Sequence, residues 1–106
     1  MASALNLNSV VSLSPGQVSS DLDGEEVILN LESGVYYGLD VVGARIWSLM
    51  KQPCTVASIC EVILAEYDVE PERCRQDVLA LLSQLAEAKL VEIHAQGTDV
   101  AASDDQ

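Results

Sequence analysis

The spacing of apolar residues changes once along this chain, and that change is the strongest constraint on its fold. Before Asp40, apolar residues tend to recur at every second position, as in a β-strand, whereas after Asp40 they recur every three or four positions, as in an α-helix. At 106 residues the chain has room for one domain with a single modest core. The sequence therefore predicts an α+β domain in which strands precede helices.

The strand half contains two turn signals. The dipeptide Asp23-Gly24 separates two extended runs, and this pair accepts the positive φ values of a type I′ hairpin turn. A second turn is predicted at residues 32–34, and a strand follows over residues 35–39. With a first strand near Gln17–Leu22, these signals predict a three-stranded antiparallel meander.

The helical half contains three amphipathic segments. Asp40 is the predicted N-cap of the first helix, which stops before Pro53, and Thr55 is the predicted N-cap of the second. Pro71 suits the first turn of the third helix. The apolar stripe of the third helix is Cys74, Val78, Leu81, Leu82 and Leu85. A three-stranded meander followed by three helices predicts a winged-helix-like arrangement.

Both ends of the chain are predicted to be flexible tails, because they are rich in small or polar residues and lack periodicity. The N-terminal tail covers residues 1–8 and the acidic C-terminal tail covers residues 95–106. The domain between them spans residues 9–94. Within that domain, Val10–Leu13 is a candidate strand before the meander, and residues 90–93 form either a short strand or part of the tail.

The charge balance argues against a nucleic-acid partner. The chain has 17 acidic and 5 basic side chains, which gives a net charge of −12. A surface of this sign repels phosphate backbones, and the third helix has too little positive charge to contact them. A winged-helix-like fold therefore does not by itself predict DNA binding here.

The sequence predicts no targeting segment and no membrane partner. The N-terminus lacks a basic region followed by a continuous apolar stretch, and no run reaches the roughly 18 apolar residues of a membrane span. The three cysteines, Cys54, Cys60 and Cys74, have no C-x-x-C spacing, so neither a zinc site nor a disulfide framework is indicated. Reduced thiols and a cytoplasmic location are predicted.

No catalytic, metal-binding or cofactor-binding cluster is predicted. The single histidine, His94, lies near the C-terminus, away from cysteines and carboxylates at a recognisable spacing. Cys60 and Cys74 fall on helix stripes, where a thiol behaves as a small apolar side chain. Cys54 is the best candidate for an exposed thiol, so an enzyme using Cys54 with His94 remains an alternative.

Two adjacent tyrosines lie in the strand predicted over residues 35–39. Side chains alternate along a strand, so a core position for Tyr37, with Val35 and Leu39, turns Tyr36 outward. This strand carries neither charge nor proline, which commonly protect a sheet edge. Either the edge is short or covered by the N-terminal segment, or it accepts a guest peptide as an added strand. Which tyrosine then faces the guest depends on the register.

Five short motifs, in this order and spacing, resemble the PqqD-like family, especially the small stand-alone members from lasso-peptide biosynthesis. They are the D-x-D-G turn, the strand S-G-x-Y-Y-G-L, the helix start D-x-x-G-A-x-I-W, Y-D-V after the second helix and Q-D-V in the third. The resemblance covers residues 10–93. The chain departs from the family at Asp40, where asparagine is commoner, although both residues cap helices well.

The resemblance implies a RiPP recognition element, a non-catalytic domain that binds the leader segment of a ribosomally made precursor peptide. In that family the leader adds a strand to the third strand of the meander and lies in a groove bounded by the third helix. In lasso-peptide members, a tyrosine and a proline of the leader occupy an apolar pocket there. The corresponding residues of this chain are Val35, Tyr36, Tyr37, Gly38, Leu39, Cys74, Asp77, Val78, Leu81, Leu82 and Leu85.

The resemblance also implies the partners, which are a leader-cleaving cysteine protease and a lactam-forming cyclase. The nearest alternative is a PqqD-type peptide carrier that works with a radical-SAM enzyme on a different precursor. The neighbouring genes would distinguish these two functions. The thiol enzyme and a DNA-binding winged helix are the remaining alternatives, and thiol reactivity and DNA affinity at physiological salt would test them.

Overall fold

The computed structural model of the protein describes residues 5–94. The elements in chain order are β1 (Val10–Leu13), β2 (Gln17–Leu22), β3 (Glu25–Asn30), β4 (Tyr36–Leu39), α1 (Val41–Leu49), β5 (Cys54–Thr55), α2 (Val56–Glu66), α3 (Pro71–Glu87) and β6 (Val91–His94). Within this part of the chain, no helix is both long and apolar enough to cross a membrane.

Strands β2, β3 and β4 form the predicted antiparallel meander, in that order. The turn between β2 and β3 has φ values of 61° at Asp23 and 92° at Gly24, as a type I′ hairpin requires. The turn before β4 has Gly34 at a φ of 75°, and its N–H donates to the Asn30 carbonyl at 2.8 Å. The prediction of a meander followed by three helices is confirmed.

The short strands lie in a second sheet, with the order β5-β1-β6. The candidate strand at Val10–Leu13 exists, but it pairs with β5 and β6 and does not extend the meander. For residues 90–93 the sequence allows either a strand or part of the tail, and the structure has residues 91–93 in β6. The two-residue β5 was not predicted, because a strand this short has no readable periodicity.

The predicted caps set the starts of the first two helices. The Asp40 carboxylate accepts from the Gly43 N–H at 2.8 Å, and the Thr55 hydroxyl accepts from the Ser58 N–H at 3.1 Å. Pro71 is the first residue of α3, where its missing N–H costs no helical hydrogen bond. The chain therefore changes from strand to helix where the sequence predicts.

The first helix packs closely on the meander. A Cβ atom at Gly43 would lie 3.2 Å from the Cβ of Leu39, so glycine permits this approach of α1 to the end of β4. Trp47 is completely buried, and its indole N–H donates to the hydroxyl of Ser19 at 3.2 Å. The meander and the helices consequently share one core, which includes Ile28 from the middle strand and Leu82 from α3.

Residues 5–8, which the sequence assigned to the N-terminal tail, contact the domain. Leu5 and Leu7 pack against the core, and the Leu7 carbonyl accepts from the Ala57 N–H at 2.9 Å. This segment leads into β1, and its hydrogen bond to Ala57 lies at the start of α2. The remaining predicted tail residues, 1–4 and 95–106, lie outside the described residues.

Candidate functional site

The outer edge of β4 exposes the backbone groups of two residues, Tyr36 and Gly38. In the β3–β4 register, the Asn30 N–H donates to the Val35 carbonyl at 3.0 Å. Bonded and non-bonded pairs alternate along antiparallel strands, so the odd-numbered residues bond to β3 and the even-numbered residues point N–H and C=O away from it. Over residues 5–94, β4 has no strand partner on that side.

The side chains of β4 alternate between two faces. Tyr37 and Leu39 pack against the core, whereas Tyr36 is 68% exposed on the opposite face. The expected division of the two tyrosines is confirmed. Val35 does not join Tyr37 and Leu39 in the core, because it precedes the strand at the end of the turn and is 45% exposed.

A groove of about 490 Å³ opens beside the C-terminal half of β4. On one side its lining includes Gly38 and Leu39 of the strand. The facing surface of α3 contributes Cys74, Asp77, Val78 and Leu81. These positions are three or four residues apart, so they share one face of the helix. Folding thus places six of the predicted leader-binding residues around one groove.

The other predicted residues lie elsewhere. Leu82 is fully buried and Leu85 nearly so, and both fill the core beneath α3 and do not line the groove. Tyr36 and Tyr37 lie on β4 beyond the groove lining, and Val35 lies just before that strand. A continuous apolar stripe on α3 could not separate groove positions from core positions, because both require apolar side chains.

Several groove residues were not predicted as site residues. They come from α1, from the last part of α2 and from the connection to α3, and they are Asp40, Val42, Gly43, Ile46, Ile63 and Val69. Val69 offered the clearest sequence signal, because it is an apolar residue between acidic residues in a connection, and it is 41% exposed. For α1, helix periodicity alone does not distinguish residues that border a groove from residues that fill the core.

The groove has an apolar floor and an acidic rim. Asp40 lies at the start of α1, with its carboxylate held by the Gly43 N–H. Asp77 lies on α3 and forms an ion pair with Arg73, at 3.3 Å between Nε and Oδ2. Both side chains of this pair are highly exposed, so the pair contributes little to stability and leaves the rim accessible.

The candidate thiol and the histidine do not form a catalytic pair. Burial raises the pKa of the Cys54 thiol, which lowers its thiolate fraction at neutral pH. Cys54 lies on β5, whereas His94 lies on β6 and shares a 2.8 Å hydrogen bond with the Ser12 hydroxyl. Strand β1 separates β5 from β6, so the two side chains belong to opposite edges of that sheet.

The other two cysteines are structural. Burial raises the pKa of Cys60 to about 11, with a further contribution from the neighbouring thiol of Cys74. Both are almost completely buried and pack as small apolar side chains. Over the described part of the chain, histidine, cysteine, aspartate and glutamate form no group of three or more that could hold a metal ion.

Comparison with known proteins identifies relatives of this architecture. The sequence model of the family described as "Coenzyme PQQ synthesis protein D (PqqD)" matches residues 25–91. A comparison with curated proteins gives no significant match.

Three solved structures are similar. TbiB1, in complex with the TbiA(β) leader peptide, is 39% identical over 80% of this chain and 99% of its own, with a TM-score of 0.74. Lasso peptide synthetase B1, complexed with the leader peptide, is 26% identical over 77% of this chain and 96% of its own, with a TM-score of 0.70.

The third is the PqqD truncation of Methylobacterium extorquens PqqCD, described as a functional stand-alone RiPP recognition element. It is 24% identical over 84% of this chain and 95% of its own, with a TM-score of 0.70, and at that identity it supports the fold alone. The family model matches well over half of the chain, and TbiB1 is related over nearly its whole length. The resemblance found in the sequence motifs is thereby confirmed, and this chain belongs to the PqqD family.

Proposed function

We propose that this protein is a RiPP recognition element that binds the leader of a ribosomally made precursor peptide, and that this precursor is of the lasso-peptide type. The leader joins β4 as a fourth strand of the meander. The observation that carries the proposal is the unpaired edge at Tyr36 and Gly38 beside an apolar groove. The similarity to TbiB1, whose structure holds a leader peptide, supports the same function.

The backbone edge of β4 and the groove contribute differently to binding. The backbone groups of Tyr36 and Gly38 bond to the guest backbone, and this pairing depends little on the guest sequence. Guest side chains that point to the same face as Tyr37 and Leu39 enter the groove, where Val78 and Leu81 contact them. Selection therefore comes from the groove, in which we place the tyrosine and proline that the resemblance implies for the leader.

The protein acts without chemistry of its own. It holds the leader near a leader-cleaving cysteine protease and a lactam-forming cyclase, which raises the local concentration of substrate at those enzymes. The raised pKa of Cys54 and its separation from His94 support a non-catalytic role. The free thiols of all three cysteines are compatible with a cytoplasmic location.

A second candidate is a carrier that presents a peptide to a radical-SAM enzyme, which the match to the PqqD family model favours. The similarity to lasso peptide synthetase B1, at 26% identity, supports the lasso assignment. A protease and a cyclase encoded beside this chain would support the lasso assignment further, and a radical-SAM enzyme there would support the carrier.

The test measures binding of the leader peptides encoded beside this chain, with the TbiA(β) leader as a second probe. Fluorescence anisotropy gives the affinity, and amide hydrogen exchange locates the site. We expect slower exchange at the amides of Tyr36 and Gly38, and unchanged exchange at Ser19 and Asp21 on the opposite edge strand, β2. The proposal fails if none of these leaders binds, or if protection appears away from β4 and α3.

A further inference from the structure

Gly38 has no structural requirement in the unliganded protein. Its φ angle lies outside the left-handed region, and a Cβ atom built there would meet nothing within 4 Å. A glycine inside a strand weakens that strand, and it often marks a place where a ligand or another backbone comes close. Gly38 is therefore explained better by what binds beside β4 than by the fold itself.

The outward face of the meander around Gly38 is apolar. Val27 lies directly across from Gly38 on β3, and the next cross-strand row contains Val18, Leu29 and Tyr36. A shallow depression of about 370 Å³ is lined in part by Val27, Leu29 and Tyr36. Because Gly38 has no side chain, this apolar surface has a gap at the edge where a guest strand would join.

A guest strand on β4 directs one of its side chains into that gap. Gly38 points its N–H and C=O toward the guest, so it forms a bonded pair with one guest residue. Side chains of directly opposed residues lie on the same face of a sheet. The guest residue paired with Gly38 therefore projects onto the outward face, opposite to the groove.

We infer that this position of the leader carries a large apolar residue, aromatic or β-branched, which lies across Gly38 and packs against Val27 and Tyr36. The inference rests on strand addition at β4 and names a second anchor, separate from the groove. Because successive side chains of a strand point to opposite faces, the sequence positions of this residue and of any leader residue in the groove differ by an odd number. A second copy of the chain is a poorer occupant of this face, since each copy carries a net charge of −12.

The test is a coupling experiment between Gly38→Val and the leader. Each leader residue is replaced by alanine in turn, and the affinity of every peptide is measured for the wild-type protein and for Gly38→Val. We expect Gly38→Val to weaken the native leader by about fivefold, the upper range for one cross-strand pair. The loss should disappear for the single peptide with alanine at the position paired with Gly38, because the added side chain then fills the vacated space.

The matched control is Ser20→Val, which adds valine in the same cross-strand row but on β2, the strand farthest from the guest. It should leave the affinity for every peptide unchanged. Thermal unfolding checks the fold, and Gly38→Val should not lower the melting temperature, because open space surrounds the new side chain.

A second variant keeps the inference testable if Gly38→Val folds poorly. Tyr36→Ala removes one of the two side chains that contact the leader residue paired with Gly38, so it should weaken binding of the native leader. It should leave unchanged the affinity for the peptide with alanine at that position. If wild-type protein binds the leader at β4 but neither variant couples to a single leader position, the inference is wrong and the proposed function stands. If the wild-type protein binds no leader, the proposed function fails.

Discussion

The two outer strands of the meander present similar backbone edges in different surroundings. On β2, the Gly16 carbonyl accepts from the Leu31 N–H in the strand register, so odd-numbered residues such as Ser19 and Asp21 point their backbone groups outward. On β4, Tyr36 and Gly38 do the same. Both edges thus offer hydrogen bonds to a guest, and the backbone alone does not distinguish them.

The spaces beside the two edges do distinguish them. A depression of about 410 Å³ beside β2 is lined by charged side chains, among them Asp21, Glu26, Arg45 and Lys51. A guest there would have to desolvate those charges, which is costly unless it pairs with them. The groove beside β4 has an apolar floor, so burial of guest side chains is favourable. The apolar groove, and not the unpaired edge alone, therefore distinguishes β4 as the candidate binding edge.

The largest effect on leader binding is expected from a charge placed in the groove. Leu81→Asp should reduce leader affinity roughly a hundredfold, because a central apolar anchor contributes about 2–3 kcal/mol to a small interface. Ser83→Asp is the matched control, since Ser83 is exposed and lies about 200° around α3 from Leu81. Fluorescence anisotropy measures both affinities.

Equal losses in the two variants would show that added negative charge, and not the groove, controls binding. Leu82→Asp is unsuitable for this purpose. Leu82 is completely buried, so a charge there would disrupt folding before it reported on the leader.

The backbone of β4 can be tested by removing one donor. Gly38→Pro deletes an N–H that points away from β3, so the meander loses no hydrogen bond of its own. We expect leader affinity to fall about tenfold, as for the loss of one well-formed hydrogen bond at an ordered edge. Gly38→Ala keeps the N–H and should lose less. Calorimetric titration would contradict the edge assignment if the proline variant bound as tightly as the wild type.

The β2–β3 turn should affect stability without affecting binding. Gly24→Ala places a side chain at a φ of 92°, which costs about 1–2 kcal/mol in the free energy of unfolding. Gly16→Ala is the control, because its Cβ would meet nothing within 4 Å and its φ is not positive. Urea denaturation measures the stability difference. A matching loss of leader affinity in folded Gly24→Ala would place part of the site near β2.

The smallest effect is expected at the ion pair beside the charged depression. The Glu66 carboxylate accepts from Arg45 at 2.9 Å and 2.8 Å, and these hydrogen bonds hold the pKa of Glu66 below its ordinary value. A lowered pKa stabilises the fold at neutral pH, and that contribution disappears as the pH falls through the lowered value. Glu66→Gln should slightly lower the melting temperature at neutral pH and make no difference in strongly acidic buffer. Leader affinity should not change.

Local chemistry in the sequence was sufficient for the meander, the three helices and most of their boundaries, but not for the two-residue strand β5. The left-handed pair Asp23-Gly24, the caps Asp40 and Thr55, and Pro71 at the first position of α3 each determine backbone conformation within a few residues. The apolar stripe of α3 could also be predicted, because it depends on residues only three or four positions apart. Family resemblance then identified the strand and helix that flank the groove.

The strand-to-helix order, the two turns and the helix starts could be predicted from the amino-acid sequence, because they depend on interactions between near neighbours in the chain. The family could be identified from short motifs in the same sequence. The folded structure was needed to show that β1 pairs with β5 and β6, that Leu81 lines the groove while Leu82 fills the core, and that Tyr36 and Gly38 carry the outward-pointing backbone groups. Those outcomes depend on the register between strands and on the rotation of α3 against the sheet. Both are settled by packing between residues that are distant in the sequence.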